Sequence, residues 1–190
     1  IELSKKYNGE IINADSTQVY KGLDIATAKI TEKEKENIVH HLIDIKQITE
    51  DYTVFDYQKD ARGVLDKLIS EGKNVIIVGG TGLYLKALLY NYEFKENNNR
   101  KDFSGYTNEE LYDMVKNIDK VSKIHVNNRQ RLESFLNNHE NNDKIVSDKC
   151  IYDAKIIGLT TNRDSLYEAI NDRVDKMVSD GLIDEARYFY

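Results

Sequence analysis

Three short runs rich in isoleucine and valine constrain the fold of this chain more than any other feature. They lie at residues 10–14, 74–78 and 155–159, and each is followed by a polar or glycine-rich turn. Continuous apolar runs of this length are typical of strands that are buried on both faces of a parallel sheet. Because helical patterns lie between them, the sequence predicts an α/β fold with βαβ connections.

The helices expected between these strands have recognisable start and stop signals. A capping-box-like start at Thr53 predicts a helix that ends near Gly72, a second helix should follow Gly82, and a long third helix should run from residues 161–164 to Gly181. The residues expected to face inward at helical spacing are Ala61, Leu65, Leu68 and Ile69 in the first helix, Leu83, Ala87 and Leu88 in the second, and Leu166, Ile170, Val174 and Met177 in the third.

Residues 91–150 differ in composition from the rest of the chain. Polar stretches at 93–105 and 137–143 predict loops, helix starts are expected at Thr107 and Asn127, and strand-forming residues are few. We therefore expect an α/β core made of residues 1–90 and 151–190, with a small helical insertion at 91–150. Both ends of the chain fall within helical patterns, so the core is expected to be truncated at both termini.

Composition excludes several classes of protein. No stretch approaches the roughly 18 consecutive apolar residues of a membrane span, so no membrane partner is expected. The single Cys150 excludes an internal disulfide framework and favours a reducing, cytoplasmic compartment, and the four histidines show no zinc-ligand spacing. The net charge of −6 argues against indiscriminate nucleic-acid binding, yet residues 95–131 carry eight Lys and Arg against six Asp and Glu. This segment is either a mildly basic lobe that holds a polyanion or a solvated helical surface.

The first predicted strand is followed by four polar residues. Asp15, Ser16, Thr17 and Gln18 would present a carboxylate, two hydroxyls and an amide at the carboxyl edge of the sheet. Open α/β sheets bind ligands at this edge. Asp15 is therefore a candidate general base, and a role in a turn or cap is the structural alternative.

Two turns at the same expected edge could bind anions. Residues 20–29 follow the first strand and carry Lys21 and Lys29, each of which is by itself expected to be solvated. The run VGGTGLY at 78–84 leads from a strand into a helix, where glycines allow close backbone approach and Thr81 presents a hydroxyl. The run is neither a Walker A motif nor a dinucleotide fingerprint, and tight packing of strand against helix is the alternative.

Cationic side chains mark two further positions. Arg163 lies in the first turn of the third helix, where a cation opposes the macrodipole. Pairing with a phosphate explains such a residue, and a local bridge to Asp164 or Glu168 is the alternative. The run IHVNNRQR at 124–131 places Gln130 and Arg131 at a helix start, a composition suited to nucleic-acid contacts.

Together these motifs resemble the tRNA dimethylallyltransferase (isopentenyltransferase) family. The matching blocks are residues 12–29 (INADSTQVYKGLDIATAK), 40–44 (HHLID), 78–84 (VGGTGLY) and 124–131 (IHVNNRQR), with a looser block from 158 to 181. The resemblance implies a P-loop-kinase-like parallel sheet flanked by helices, with a helical insertion that grips a tRNA anticodon stem-loop. It implies transfer of a dimethylallyl group from dimethylallyl diphosphate to N6 of an adenosine beside the anticodon, assisted by Mg²⁺, with the base flipped out of its stack.

The resemblance also implies roles for individual residues. Asp15 matches the family's general base, which takes a proton from the adenine amine. Thr81 matches a threonine at the substrate channel, and Arg163 matches the arginine that binds the diphosphate. The positions that match the family's tRNA-contact segments are Asp15, Ser16, Thr17, Gln18, Gln130 and Arg131. The metal ligands stay unassigned, and the protein is expected to be a monomer.

This chain departs from the family pattern in three places. The family's P-loop and the strand before it would precede Ile1, so the chain as written is expected to bind diphosphate poorly and to turn over slowly or not at all. Val126 replaces the usual proline, and Ser134 stands where the family usually has a second arginine, which predicts reduced tRNA affinity. Two other functions stay open: a P-loop kinase or transferase acting on a small phosphorylated metabolite, and a non-catalytic RNA-binding module.

Overall fold

The computed structural model describes residues 1–92, 101–138 and 145–190. These residues form two compact units, one made of Ile1–Tyr90 with Lys149–Tyr190 and the other of Asn91–Asp148. The elements in chain order are α1 (Glu2–Tyr7), β1 (Gly9–Asn13), α2 (Glu32–Lys35), β2 (His40–His41), α3 (Val54–Ser70), β3 (Asn74–Val78), α4 (Gly82–Leu89), β4 (Tyr90–Tyr92), α5 (Asn108–Ile118), α6 (Arg129–Asn138), β5 (Ile145–Cys150), α7 (Arg163–Ser179) and α8 (Leu182–Phe189).

The first unit is built on a parallel sheet of three strands in the order β2-β1-β3. β1 is central, and Ile12 pairs with His41 on one side and with Ile77 on the other. Ile12 is completely buried, in one core with residues of α3 and α4. The predicted α/β fold is therefore confirmed, and two of the three predicted strands form within one residue of their expected bounds.

The helix between β1 and β3 follows its sequence signals closely. Thr53 caps α3 through a capping box with Asp56, and Gly72 follows the helix with a φ of +71°, a conformation that favours glycine. The residues predicted to face inward from α3 and buried as expected are Ala61, Leu65 and Leu68. Ile69 is 50% exposed, so its inward assignment is wrong, because it lies at the edge of the buried stripe and Leu68 takes the inward position in the last turn.

The helix after the glycine-rich turn differs from the prediction at one position. α4 begins at Gly82 as expected, and Ala87 and Leu88 are completely buried. Leu83 is 47% exposed, whereas the next residue, Tyr84, is buried. The inward face of a helix repeats every three to four residues, so Tyr84, and not Leu83, lies on the face of Ala87 and Leu88.

The third predicted strand does not form. Residues 155–159 are neither helix nor strand, and Ile157 and Leu159 are 65% and 97% exposed. A strand in a parallel sheet needs a hydrogen-bonding neighbour, and the described part of the chain gives this segment none.

The helix that follows this segment forms as predicted, but most of the side chains expected to be buried along it are exposed. Asn162 caps α7 by accepting a hydrogen bond from the Ser165 backbone N–H at 2.9 Å, and Gly181 follows the helix with a φ of +106°. The apolar stripe of α7 was predicted to face a core, and this prediction is wrong for its first three residues. Those residues, which are 45–48% exposed, are Leu166, Ile170 and Val174.

The second unit packs α5 against α6. Thr107 caps α5 through a capping box with Glu110, as predicted, and α6 begins at Arg129, two residues beyond the expected start. The core residues that the two helices share with the segment before them are Phe103, Leu111, Val115, Leu132 and Leu136.

Strands also occur in the segment that was predicted to be helical, because β4 pairs with β5. Of the predicted loops at 93–105 and 137–143, residues 93–100 and 139–143 lie outside the described residues. Residues 101–105 are neither helix nor strand, as predicted, whereas residues 137–138 belong to α6, so the second loop was predicted to begin too early. None of the helices in the described ranges is both long enough and apolar enough to span a bilayer.

Candidate active site

Asp15 directly follows Ala14 at the carboxyl end of β1, and the turn after it fixes its carboxylate. Oδ1 accepts hydrogen bonds from the Thr17 backbone N–H at 2.8 Å, from the Thr17 hydroxyl at 2.6 Å and from the Gln18 N–H at 3.3 Å. This is the local turn that aspartate side chains commonly form. No hydrogen bond from a described residue occupies Oδ2, so one carboxylate oxygen is left to meet a substrate.

The ionisation of Asp15 results from opposing effects. Burial is the largest effect and raises the pKa of the carboxyl group, but hydrogen bonds from Thr17 and Gln18 and the positive charge of Arg173 lower it. The net pKa is below the ordinary value of 3.8. Asp15 is therefore ionised at neutral pH, as a proton acceptor must be.

Asn13 holds the backbone that presents Asp15. Its side-chain oxygen accepts from the Asp15 N–H at 3.1 Å, and its side-chain nitrogen donates to the carbonyl oxygens of Asp15 and Leu42, both at 3.1 Å. Asn13 is 4% exposed. A buried amide with these partners fixes the direction in which the chain leaves β1.

The glycine-rich turn after β3 lies directly against the Asp15 segment. The Thr81 N–H donates to the Ala14 carbonyl at 3.2 Å. The Thr81 hydroxyl accepts from the Ser16 N–H at 3.1 Å and donates to the Ser16 hydroxyl at 3.3 Å. The structure therefore brings together Thr81 and Ser16, which the sequence placed 65 positions apart.

A close contact between two backbone segments requires glycine at position 79 of this turn. A Cβ atom at Gly79 would lie 2.2 Å from the Ala14 carbonyl carbon, which no side chain allows. At Gly80 and Gly82 a Cβ atom would meet open space. Close packing of backbone against backbone, the structural alternative, thus accounts for Gly79, while Thr81 is placed at the same edge as Asp15.

The loop at residues 20–29 is closed by a buried lysine. The Lys29 side chain is 4% exposed, and its ammonium group pairs with Asp24 at 2.7 Å and Asp44 at 2.6 Å. It also donates to the Tyr20 carbonyl at 2.8 Å. The expectation that Lys29 is solvated is therefore wrong, because partners on both sides of the loop neutralise it. Lys21 is exposed, as expected.

A cleft of about 250 Å³ opens beside Asp15. Its polar lining comes from Asn13, Asp15, Gln18 and His40. The apolar part of its lining includes Ile11, Ala28, Ile30 and Ile43. A mostly apolar cleft with a few convergent polar groups is typical of a site for an organic ligand.

Arg163 is not brought to this cluster by any contact that the described residues show. It is the first residue of α7 and is exposed. No hydrogen bond or ion pair in the described ranges joins it to Asp15 or Thr81. The physical reason is that the strand expected to carry it to the sheet edge does not form.

Gln130 and Arg131 belong to the second unit, in the first turn of α6, and both are exposed. Their neighbour Arg129 has a structural role. It donates to the carbonyl oxygens of Tyr106 at 2.9 Å and Phe103 at 2.7 Å, and it pairs with Glu133 at 2.7 Å.

The donor set for a metal ion is small. The described residues contain no group of three or more His, Cys, Asp and Glu side chains that could enclose an ion. Mg²⁺ is usually held by one or two carboxylates together with substrate phosphates and water. A closed protein cage does not occur in these ranges, so the substrate phosphates and water would supply most of the ligands of such an ion.

Sequence reasoning missed three residues that shape this edge: Asn13, Arg173 and Glu185. Asn13 had a weak signal, since it is a polar residue at the end of an apolar run. Arg173 lies in the looser family block at 158–181, but no local pattern connects it with Asp15. Glu185 had no signal, because it acts on residues more than 150 positions away in the chain.

Comparison with known proteins shows similarity along the whole chain. A family model described as IPP transferase matches residues 18–190. A tRNA dimethylallyltransferase of Anoxybacillus flavithermus is 42% identical over 203 residues, which cover 100% of this chain and 65% of that protein. One from Streptococcus pyogenes is 41% identical over 197 residues, with the same coverage. The chain thus spans about two thirds of the length of these curated relatives, namely 65%.

Solved structures are similar as well. The tRNA isopentenylpyrophosphate transferase of Bacillus halodurans matches 100% of this chain and 64% of its own length, with a TM-score of 0.70 and 38% identity. A eukaryotic dimethylallyltransferase acting on tRNA matches 100% of this chain and 51% of its own, with a TM-score of 0.76 and 27% identity. These likenesses confirm the predicted P-loop-kinase-like fold class.

Proposed function

This chain belongs to the IPP transferase family, and from that premise we propose that it carries the catalytic base of a tRNA dimethylallyltransferase. The reaction transfers a dimethylallyl group from dimethylallyl diphosphate to N6 of an adenosine next to the anticodon. One observation carries the proposal: the Asp15 carboxylate stands at the carboxyl edge of the sheet beside a cleft, with Oδ1 held and Oδ2 open.

The chemistry requires a group in the position of Asp15. As N6 of adenine attacks the first carbon of the dimethylallyl group, a C–N bond forms and the C–O bond to the diphosphate breaks. The diphosphate leaves with the electron pair, and N6 must lose a proton. We assign that proton to Oδ2 of Asp15, because three donors already hold Oδ1.

The residues after Asp15 are proposed to contact the tRNA. The Thr17 hydroxyl donates a hydrogen bond to Asp15, and the Ser16 hydroxyl accepts one from Thr81. The Gln18 amide nitrogen donates to the Thr27 carbonyl at 3.0 Å. Its Oε1 atom is left as an acceptor for the flipped-out adenosine, and Gln18 lines the cleft.

The diphosphate and the stem-loop are proposed to bind elsewhere in the chain. Arg163 would pair with the diphosphate from the first turn of α7, and Mg²⁺ bound to the diphosphate would offset the charge of the leaving group. Gln130 and Arg131 are proposed to contact the anticodon stem-loop, since both are exposed while Arg129 is committed to its own unit.

The compartment and the oligomeric state complete the proposal. The single Cys150 is free, which favours a reducing environment. We propose a cytoplasmic monomer. Size measurement in solution by light scattering tests the monomer, and a dimer would contradict it.

The test is Asp15→Asn in the full-length protein, with Asp51→Asn, an exposed aspartate outside the site, as the control. Asparagine keeps the shape of the side chain but cannot take the proton. We expect prenylation of tRNA to fall by about 100-fold to 10,000-fold while tRNA binding persists. Surviving activity would show that Asp15 is not the base. Phosphoryl transfer from ATP without any use of dimethylallyl diphosphate would favour a kinase instead.

A further inference from the structure

Glu185 makes a contact that the proposed reaction does not explain. On α8, its Oε2 atom accepts from the backbone N–H groups of Asp24 at 2.9 Å and Ile25 at 2.8 Å, and its Oε1 atom accepts from Ala26 N–H at 2.9 Å. Three successive backbone N–H groups that converge on one carboxylate form an anion-binding nest. The contact joins positions about 160 residues apart in the chain.

The charge state of Glu185 suits this nest. Burial is the largest effect and raises the pKa of the carboxyl group, but the hydrogen bonds from the three amides lower it below the ordinary value. The carboxylate is therefore ionised at neutral pH. Hydrogen bonds to a charged acceptor are stronger than those between neutral groups, so this is a firm attachment of α8 to the loop.

A second contact attaches the same helix to the same loop. Gly22 has a φ of +79°, and a Cβ atom there would lie 2.9 Å from the Phe189 ring. Phe189 is the last residue of α8. The loop is thus held at its start by close packing and in its middle by the Glu185 carboxylate.

The residues held by Glu185 determine the next turn of the loop. The carbonyl oxygen of Ile25 accepts from the Ala28 N–H at 3.0 Å, and that of Asp24 accepts from the Lys29 N–H at 2.8 Å. Ala28 is held at a φ of +48°. A residue other than glycine keeps such a conformation only where its surroundings enforce it.

This turn forms part of the Asp15 cleft. Ala28 lines the cleft directly. The neighbouring Thr27 carbonyl accepts from the Gln18 side-chain nitrogen at 3.0 Å, and Gln18 lines the cleft as well. A path of direct contacts therefore leads from Glu185 through the loop to the Gln18 amide.

We infer that Glu185 is a positioning residue, which acts through the loop at residues 22–29 to fix the Gln18 amide and the Ala28 wall of the cleft. The tRNA contact of Gln18 rests on the proposed function, whereas the path of contacts from Glu185 to Gln18 does not. Substrate affinity therefore depends on a carboxylate that touches no substrate.

The first experiment measures the link without any substrate. The full-length protein is compared with Glu185→Ala, Glu185→Gln and the control Asp184→Ala, whose side chain is 83% exposed and, among the described residues, pairs with Arg187 alone. By hydrogen exchange, we expect the backbone amides of Asp24–Ala26 and the Gln18 side-chain amide to lose protection by about tenfold or more in Glu185→Ala. Glu185→Gln, with one acceptor oxygen, should be intermediate and keeps the test usable if the alanine variant does not fold. Unchanged protection in both Glu185 variants would overturn the inference.

The second experiment measures the consequence for binding. We expect Glu185→Ala to weaken the affinity for a tRNA anticodon stem-loop by about tenfold to a hundredfold, and Asp184→Ala to leave it unchanged. Because Glu185 acts in part through Gln18, Glu185→Ala should weaken binding by a smaller factor in a Gln18→Ala background than in the unaltered protein. Fully additive losses would overturn the link to Gln18. If the unaltered protein binds no stem-loop, the proposed function fails, and the exchange experiment still decides the role of Glu185.

Discussion

Two regions of this chain have the same local sequence pattern and reach different structures. Residues 10–18 and 155–163 both consist of a short apolar run followed by polar residues. The first run becomes the central strand β1, in which Ile12 is completely buried. The second is neither helix nor strand, and Leu159 is 97% exposed.

The difference lies in the neighbours and not in the runs themselves. β1 has a hydrogen-bonded strand on each side, and the chain beyond it is held by the Ala14 N–H bond to the Val78 carbonyl at 2.7 Å. The described residues offer residues 155–159 no such strand. An apolar run therefore indicates that a segment can form a buried strand. Whether the strand forms depends on a neighbouring strand with which it can pair.

The difference between the two apolar runs also determines which residues are held in place at the candidate site. The formed strand delivers Asp15 to a defined position, with Oδ1 held by Thr17 and Gln18. The unformed strand leaves Arg163 exposed and without a contact to Asp15 in the described ranges. The proposed base, Asp15, is thus preorganised and the arginine proposed to bind the diphosphate, Arg163, is not, which matters because catalysis depends on groups that are in place before the reaction.

The largest expected effect comes from a substitution at Gly79, where the turn after β3 packs most closely against the chain that follows β1. Gly79→Ala would place a Cβ atom 2.2 Å from the Ala14 backbone, so the two backbones must separate. We expect the free energy of unfolding to fall by about 4 kcal/mol or more in urea denaturation. Gly80→Ala, where a Cβ atom meets open space, should change it by about 1 kcal/mol or less. Equal losses would show that backbone contact does not hold the site.

How much could be predicted from sequence depended on the range of the signal. The bounds of β3, the caps at Thr53 and Thr107 and the stop at Gly72 all follow from residues within a few positions, and all were predicted. The joining of Asp15 to the glycine-rich turn at Thr81 also follows, because parallel strands present their carboxyl ends at one edge.

The errors at Lys29 and at residues 155–159, and the omission of Glu185, have the opposite cause, because each depends on a partner outside the local sequence. Lys29 is buried because Asp44 lies within 2.6 Å of it, 15 residues further along the chain. Glu185 meets its loop across about 160 residues. Residues 155–159 need a strand to pair with. None of these partners leaves a periodic or local trace in the sequence, so only the folded chain reveals them.

A matched pair of leucine substitutions makes the comparison quantitative. Leu65 on α3 is 5% exposed and Leu166 on α7 is 45% exposed. Because only the first leaves a cavity, we expect Leu65→Ala to lower the free energy of unfolding of the 190-residue chain by about 2–5 kcal/mol. Leu166→Ala should lower it by about 1 kcal/mol or less. Urea denaturation measures both, and a Leu166→Ala loss as large as that of Leu65→Ala would show that the stripe of α7 is covered in solution.

The smallest expected effect is a pH dependence that belongs to the ordered sheet alone. On β1, Glu10 accepts a hydrogen bond from Lys73 and pairs with His41 at 2.6 Å, so it links residues on both sides of the central strand. The hydrogen bond from Lys73, followed by that from His41, lowers the pKa of Glu10 below its ordinary value of 4.5, against burial that raises it. A carboxyl group whose pKa is lower in the folded chain stabilises the fold above its unfolded pKa, and the contribution is lost as the pH falls through the folded pKa.

Glu10→Gln should therefore be less stable than the unaltered chain at pH 7, by about 1 kcal/mol or less, because the pair is near the surface. As the pH falls from 4.5 through the lower pKa of the folded chain, the two proteins should converge, since protonation then removes the charge from the unaltered chain as well. Glu168 lies exposed on α7 and has no ion pair with a described residue, so Glu168→Gln should show no such convergence. Thermal unfolding across this pH range measures both variants. A constant difference between Glu10→Gln and the unaltered chain down to the lowest pH would mean that the side chain stabilises β1 by packing and not by its charge.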